Sequence, residues 1–213
     1  MPARSHLQLI YINPEGEADD RARLDQDEEG AASGSHIARR HRGSPESPTP
    51  ISLEEAFRQY APHVAAIGFR ILGSRDQMQD LVQDVFLKAH DWIARIDDPR
   101  ALKSWLTTVT VREARLRLRL RRVRSFLHLA DNHNYASVAS PSASPAERAL
   151  ATEIYRILDG VAVNARVAWT LRYVEGLTLP EIAQHCGCSL ATVKRRVAEV
   201  HRTVLEALRD DQA

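Results

Sequence analysis

Scarcity marks this chain before any motif does. Of 213 residues only two are cysteine and nine glycine, and aromatic residues make up 6%. Cys186 and Cys188 stand too close together for an ordinary structural disulfide, which excludes a disulfide-stapled scaffold and suits a reducing compartment. No uncharged apolar run approaches the roughly 20 residues that span a bilayer. The first residues lack the basic stretch, apolar core and cleavage site of a secretory signal. A cytoplasmic protein without membrane insertion is therefore expected. No stretch alternates with the two-residue period of a strand, and there is no phosphate loop, nucleophile elbow or paired-acid motif. The expected fold class is all-α, and neither an enzyme nor a bound cofactor is expected.

Net charge is also nearly absent, at +1, but the balance hides an asymmetry. Residues 1–50 hold nine acidic and six basic side chains, a balance of −3, whereas residues 51–124 hold nine acidic and fourteen basic, a balance of +5. A locally basic segment bears on a polyanionic partner; the overall pI does not.

Residues 1–50 include EGEADD, DQDEEG, GAASGS and RGSPESPTP, with one apolar patch at Leu7, Leu9, Ile10, Tyr11 and Ile12. Such a composition buries too little surface to offset chain entropy, so a disordered N-terminal extension is expected. The alternative reading is an acidic tail that competes with nucleic acid for the basic segment.

Helical periodicity begins near Ile51. Ser52 and Glu55 have capping-box spacing, Phe57, Tyr60, Val64, Ile67 and Ile71 follow, and Gly73 closes the helix. From about Arg75 to Ile96, the residues Met78, Leu81, Val82, Val85, Ala89, Trp92, Ile93 and Ile96 form a core face. The outward face aligns Asp80, Asp84, Leu87 and Asp91, flanked by Gln83 and Lys88. A leucine among carboxylates is either an ordinary exposed residue or an anchor for a partner protein.

Residues 100–124 contain neither proline nor glycine. Leu102, Trp105, Leu106, Val109, Leu116, Leu120 and Val123 fall near one side of a helix. Glu113 interrupts that side and either bends the helix or pairs with Arg117 one turn later. The seven arginines 112, 115, 117, 119, 121, 122 and 124 exceed what a solvated face requires and favour phosphate binding by counterion release. Lys103, Trp105, Thr107 and Thr108 lie just upstream and suit stacking and hydrogen bonding to a single strand, although Trp105 is equally well placed for a core.

Residues 125–145, with repeated serine and alanine, read as a flexible linker that lets two small helical bundles sit apart on one partner. Its His128 and His133 have no cysteine or carboxylate cluster to complete a metal site. A helix with Leu150, Ile154, Ile157, Leu158 and Val161 follows, then one from about Asn164 with Val167, Leu171 and Val174, ending at Gly176. The last bundle culminates in TLPEIAQHCGCSLATVKRRVAEVHRTV, Thr178 to Val204. Thr178 and Glu181 form a second capping box, Gly187 marks a turn, and Ser189 caps the next helix. Val193, Val197, Val200 and Val204 share one side; Ala191, Arg195, Ala198 and Arg202 share the other, with Thr192, Lys194, Arg196 and Glu199 between. Small residues followed by arginines on a helix-turn-helix suit a DNA major groove; the bland reading is an antiparallel helix pair with a solvated basic face.

DLVQDVFLKAHDWI at Asp80–Ile93, SWL at Ser104–Leu106 and LRYVEGLTLPEIAQHCGCSLATVKRRV at Leu171–Val197 resemble bacterial RNA polymerase sigma factors of the extracytoplasmic-function group, over about residues 51–208. The resemblance implies a region 2-like domain at 51–124, the linker at 125–145 and a region 4-like domain at 146–213. It implies that Asp80, Gln83, Asp84, Leu87 and Lys88 dock on core RNA polymerase. Lys103, Trp105, Thr108, Arg112, Arg115, Arg119 and Arg122 would hold the opened proximal promoter element. Ser189, Thr192, Lys194, Arg195, Arg196 and Arg202 would read the distal element as duplex. The implied partners are core polymerase and promoter DNA, with an anti-sigma factor as a further candidate. The chain departs from the family pattern at VAVNARVAW, which lacks a proline-containing turn, and in the density of the arginine run; no additional C-terminal domain is expected.

Two other readings compete. A zinc or redox site at His185, Cys186 and Cys188 lacks a fourth ligand. A stand-alone helix-turn-helix regulator would act as a dimer on a two-fold operator.

Overall fold

The computed structural model describes residues 51–93, 99–127, 135, 138–139 and 142–210. The expected extension over residues 1–50 and most of the expected linker lie outside these. Every described element is helical: α1 Leu53–Leu72, α2 Arg75–Ile93, α3 Pro99–Phe126, α4 Pro145–Gly160, α5 Val163–Tyr173, α6 Leu179–Cys186 and α7 Leu190–Asp210.

Local chemistry sets the ends of these helices. Ser52 with Glu55 and Thr178 with Glu181 form the expected capping boxes, and Ser144 with Glu147 forms a third ahead of Pro145. In each box the serine or threonine oxygen accepts the N3 amide while the glutamate returns to the cap amide, satisfying two otherwise orphaned donors. These hydrogen bonds hold the carboxyls of Glu55, Glu147 and Glu181 below the usual glutamate range. Gly73 and Gly187 end α1 and α6 in the left-handed region, at φ 70° and 62°. At Gly73 a Cβ would also lie 2.7 Å from the Tyr135 ring and 2.8 Å from Tyr155, so both torsion and space demand glycine there.

Helices α1–α3 form an N-terminal bundle around Tyr60, Val64, Ile67, Leu81, Val85, Leu102 and Leu106. Helices α4–α7 form a second bundle around Ile154, Leu158, Trp169, Val200 and Val204. The two are in contact: α5 packs on α1 and α3, and α6 packs on α3. One apolar cluster runs through both, joining Val111, Ala114 and Leu118 to Val167, Leu171, Ile182, Cys186, Val193 and Val197. The chain between the bundles is pinned at Tyr135, which is buried against Tyr155 and donates to Asp159 at 2.5 Å.

The expected apolar side of α3 is only half right. Leu102 and Leu106 are buried, but Leu116, Leu120 and Val123 are about half exposed, as is Trp92 on α2. A row of polar pairs lines one side of the α2–α3 seam. Lys88 pairs with Glu113, Asp84 with Arg117, and Gln77 accepts from Arg121 at 2.5 Å. Glu113, Arg117 and Arg121 are spaced i, i+4 and i+8, so they occupy the face turned to α2 and rotate the leucines away. The expected Glu113–Arg117 pair is present at 3.5 Å, beside a buried Glu113.

Candidate nucleic-acid and polymerase interface

Three surfaces carry the residues singled out in the sequence. On α2, Leu87 is 65% exposed, and Asp80 and Gln83 are exposed on the same side. Asp84 and Lys88 are tied to α3 by their ion pairs but keep about half of their side-chain surface, at 49% and 52%. The helix is held by Leu81, Val85, Phe86 and Ala89 beneath, so Leu87 is presented on a fixed ridge. Phe57 of α1, half exposed, meets the edge of the buried Phe86 with centroids 4.8 Å apart. Phe57 shares the helical spacing of Tyr60 and Val64, yet those two are buried and Phe57 is not.

On α3, Lys103 and Arg112 are exposed, and Trp105 is half-buried with its ring 6.1 Å from that of Trp92. The remaining candidates face the second bundle. The Thr108 hydroxyl lies 2.9 Å from Nδ1 of His185, and Arg115 donates to the carbonyl of Cys186 at 2.9 Å. Arg119 reaches Asn164 at 3.5 Å and Arg122 the carbonyl of Val161 at 3.3 Å. Thr108, Arg112, Arg115, Arg119, His185 and Cys186 line a cleft of about 480 Å³ between α3 and α6.

Thr108 donates its proton to the Ser104 carbonyl, so it can only accept from His185; Thr107 likewise donates to Lys103 and accepts from His63 Nε2 at 2.9 Å. Each histidine is thus held as a donor. Burial is the main influence lowering both pKa values. Lys103, His185 and Arg70 push His63 further down, while Glu181 opposes the shift at His185.

The third surface is α7. Ser189 accepts the Thr192 amide at 3.2 Å, and its hydroxyl meets that of Thr192 at 2.8 Å, which caps the helix. Arg195 and Arg202 are exposed opposite Val193, Val197, Val200 and Val204, all four buried as expected. Lys194 is half-buried, and Arg196 leans on Cys188 Sγ at 3.4 Å. Cys186 is buried, which pushes its thiol up to about 11. Its roles here are packing and offering its carbonyl to Arg115.

Sequence reasoning missed the contacts that join the bundles. Arg166, almost fully buried, donates to the carbonyls of Ile71 and Leu72 at the end of α1 and pairs with Asp159. The Arg70 carboxylate partner is Glu175, at 2.7 Å, and the Arg70 carbonyl accepts from Tyr155. Arg121 bonds Leu72, Gln77 and Tyr135 and is turned to structure, not to solvent. An arginine in a helical apolar pattern gives no sign that it will satisfy carbonyls on another helix.

Comparison with known proteins agrees with this geometry. The family description Sigma-70 region 2 matches residues 56–124, and Sigma-70, region 4 matches residues 151–200. The chain is 32% identical to the "Probable RNA polymerase sigma factor RfaY" of Xanthomonas campestris pv. campestris, over 68% of this chain and 37% of that one. It is 26% identical to the ECF RNA polymerase sigma factor SigE of Mycolicibacterium smegmatis, over 68% and 57%. With the RNA polymerase sigma factor CnrH of Cupriavidus metallidurans it shares 30% identity over 62% of this chain and 73% of the relative. The chain thus spans less than two thirds of the length of the first two relatives. In fold it is similar to the sigma factor RpoE from Bartonella quintana, solved in complex with the anti-sigma factor NepR. That likeness has a TM-score of 0.53 at 21% identity, covering 73% of this chain and 96% of that one. With a region 2 match and a region 4 match in order on one all-helical chain, and these relatives, the chain belongs to the RNA polymerase sigma factor family, in its extracytoplasmic-function group.

Proposed function

We propose that this chain acts in the cytoplasm as a dissociable promoter-specificity subunit, which binds core RNA polymerase and directs it to open selected promoters. The observation that carries this reading is the presence, on one chain and in order, of the matched segments 56–124 and 151–200. In this reading the α2 ridge docks on the polymerase through Leu87, with Asp80, Gln83, Asp84 and Lys88 around it. An apolar side chain ringed by polar groups can be buried at a partner's surface while its neighbours fix the register.

Helix α3 then holds the opened proximal element, with Lys103, Trp105, Thr108, Arg112, Arg115, Arg119 and Arg122 supplying stacking, hydrogen bonds and phosphate contacts. In the closed arrangement Thr108 and Arg115 are engaged by α6, so capture of a strand by these two requires α3 and α6 to part. The recognition helix α7 lies in the major groove of the distal element. Arg195, Arg202, Thr192 and Lys194 face the bases or phosphates, Ser189 meets a phosphate at the helix start, and Arg196 does so after release from Cys188. No covalent chemistry belongs to the chain. The RpoE likeness makes an anti-sigma factor a candidate partner for the closed form.

Transcription with purified core polymerase on a random promoter library tests the reading. Discrete promoters should be used only when both proteins are present. A stand-alone regulator would instead shift its operator without polymerase, and that outcome would overturn the proposal.

A further inference from the structure

Helix α3 carries a surface that the described fold leaves bare. Leu116, Leu120, Val123 and Leu127 recur at i, i+4, i+7 and i+11 and so share one face. They are 49, 50, 57 and 58% exposed, and Phe126 beside them is 85% exposed. A lone exposed leucine is ordinary; a continuous apolar stripe over three turns is not. Exposed Arg112, Arg119, Arg122 and Arg124 surround it, and among the described residues the ion pairs of α3 use Arg117 and Arg121 instead. Nucleic acid would satisfy these arginines but leave the aliphatic stripe in water. The surface fits a partner that is both apolar and acidic.

The chain itself contains such a segment. Leu7, Leu9, Ile10, Tyr11 and Ile12 are the densest apolar patch in the first 50 residues, and residues 15–29 follow with eight carboxylates against two arginines. We propose that residues 7–29 dock on α3 of the same molecule, the apolar patch covering Leu116, Leu120 and Val123 and the carboxylates meeting the flanking arginines. The reach is adequate. With residues 7–29 docked, the 21 residues 30–50 would span roughly 23–27 Å in root-mean-square length as an unstructured chain, close to the ~30 Å of a 20-residue helix such as α1. Tethering also raises the effective concentration to the millimolar range, so a weak contact is well populated.

The docked segment covers the arginines assigned above to phosphates, so it competes with promoter DNA. That consequence rests on the promoter-binding reading of α3, whereas the docking does not. The competition is salt-sensitive on both sides, because carboxylates and phosphates use the same guanidiniums.

The test uses the full chain with the photo-reactive amino acid p-benzoylphenylalanine in place of Ile10. Irradiation should cross-link it within the same molecule to peptides from residues 116–127, as read by mass spectrometry. The cross-link should disappear in Leu120→Asp/Val123→Asp, whose helical circular dichroism should be unchanged because both sites are exposed. Cross-links that avoid α3, or that join only separate copies in a mixture of light and heavy-isotope protein, would overturn the proposal. In a separate measurement with core polymerase, Ile10→Asp should raise affinity for single-stranded promoter DNA several-fold. Unchanged affinity alongside an intact α3 cross-link would overturn the competition and point to failure of the promoter reading of α3, not of the docking.

Discussion

Arg166 in α5 donates from both Nε and Nη2 to the carbonyl oxygen of Ile71, at 3.2 and 3.0 Å. That carbonyl ends α1 and has no partner within its own helix, so a side chain from the second bundle completes the first. Asp159 balances the buried guanidinium. Arg166→Ala removes both side-chain donors from the Ile71 carbonyl, while Asp159 keeps Tyr135; leaving a buried acceptor unsatisfied costs about 1–3 kcal/mol. Urea denaturation should show the loss, with the bundles unfolding less cooperatively than in the parent.

Gly73 and Gly187 separate torsion from packing. Both have positive φ, but a Cβ at Gly187 meets nothing within 4 Å, whereas one at Gly73 runs into Tyr135 and Tyr155. Gly187→Ala should cost about 1 kcal/mol, the backbone penalty alone. Gly73→Ala should cost at least about twice that, because the two tyrosine rings anchor Tyr135 to the bundle junction. Thermal melts of the two variants side by side make the comparison.

Leu87→Asp should leave the melting temperature of the chain nearly unchanged, because the side chain is 65% exposed. Co-purification with core polymerase should fall sharply, since the substitution places a charge at the centre of the docking ridge. Retained co-purification would remove Leu87 from the interface.

Arg195→Ala should alter preference at one position of the distal element. Loss of a base contact costs about 1–3 kcal/mol at that position only. A phosphate contact would instead weaken all distal elements evenly and lower the salt dependence. Transcription across a library of distal elements distinguishes the two.

The junction of α3 with α1 and α6 should weaken in mild acid. His63 and His185 have folded pKa values below the ordinary 6.5, so the unfolded or parted chain takes up protons first. Their contribution is fully present above about pH 6.5 and is lost as pH falls below that value. Lys103 and Arg70 oppose a second positive charge beside His63, while Glu181 eases it at His185. The urea midpoint should therefore drop between pH 7.5 and 5.5, and by less in His63→Gln/His185→Gln.

Much of the fold was legible because its signals are local. Ser52 with Glu55, Thr178 with Glu181 and Gly187 set helix ends through hydrogen bonds and torsions spanning a few residues, and the valines of α7 follow one period without interruption. The candidate ridge at Leu87 was legible for the same reason, since the residues beneath it define its direction. On α3 the same logic failed. Leu116, Leu120 and Val123 were read on one side with the buried Leu102 and Leu106, yet Glu113, Arg117 and Arg121 took the α2-facing positions because α2 offers Lys88, Asp84 and Gln77 at matching heights.

The sequence by itself determined the helices, their caps, the helix-turn-helix and the outward Leu87, all products of interactions within one or two turns. Only the tertiary structure decided which arginines remain available to a polyanion. Arg112 and Arg195 stay exposed, whereas Arg115, Arg121 and Arg166 are held by carbonyls far along the chain. A guanidinium can donate to a phosphate or to a carbonyl, and only the fold brings one of them within reach.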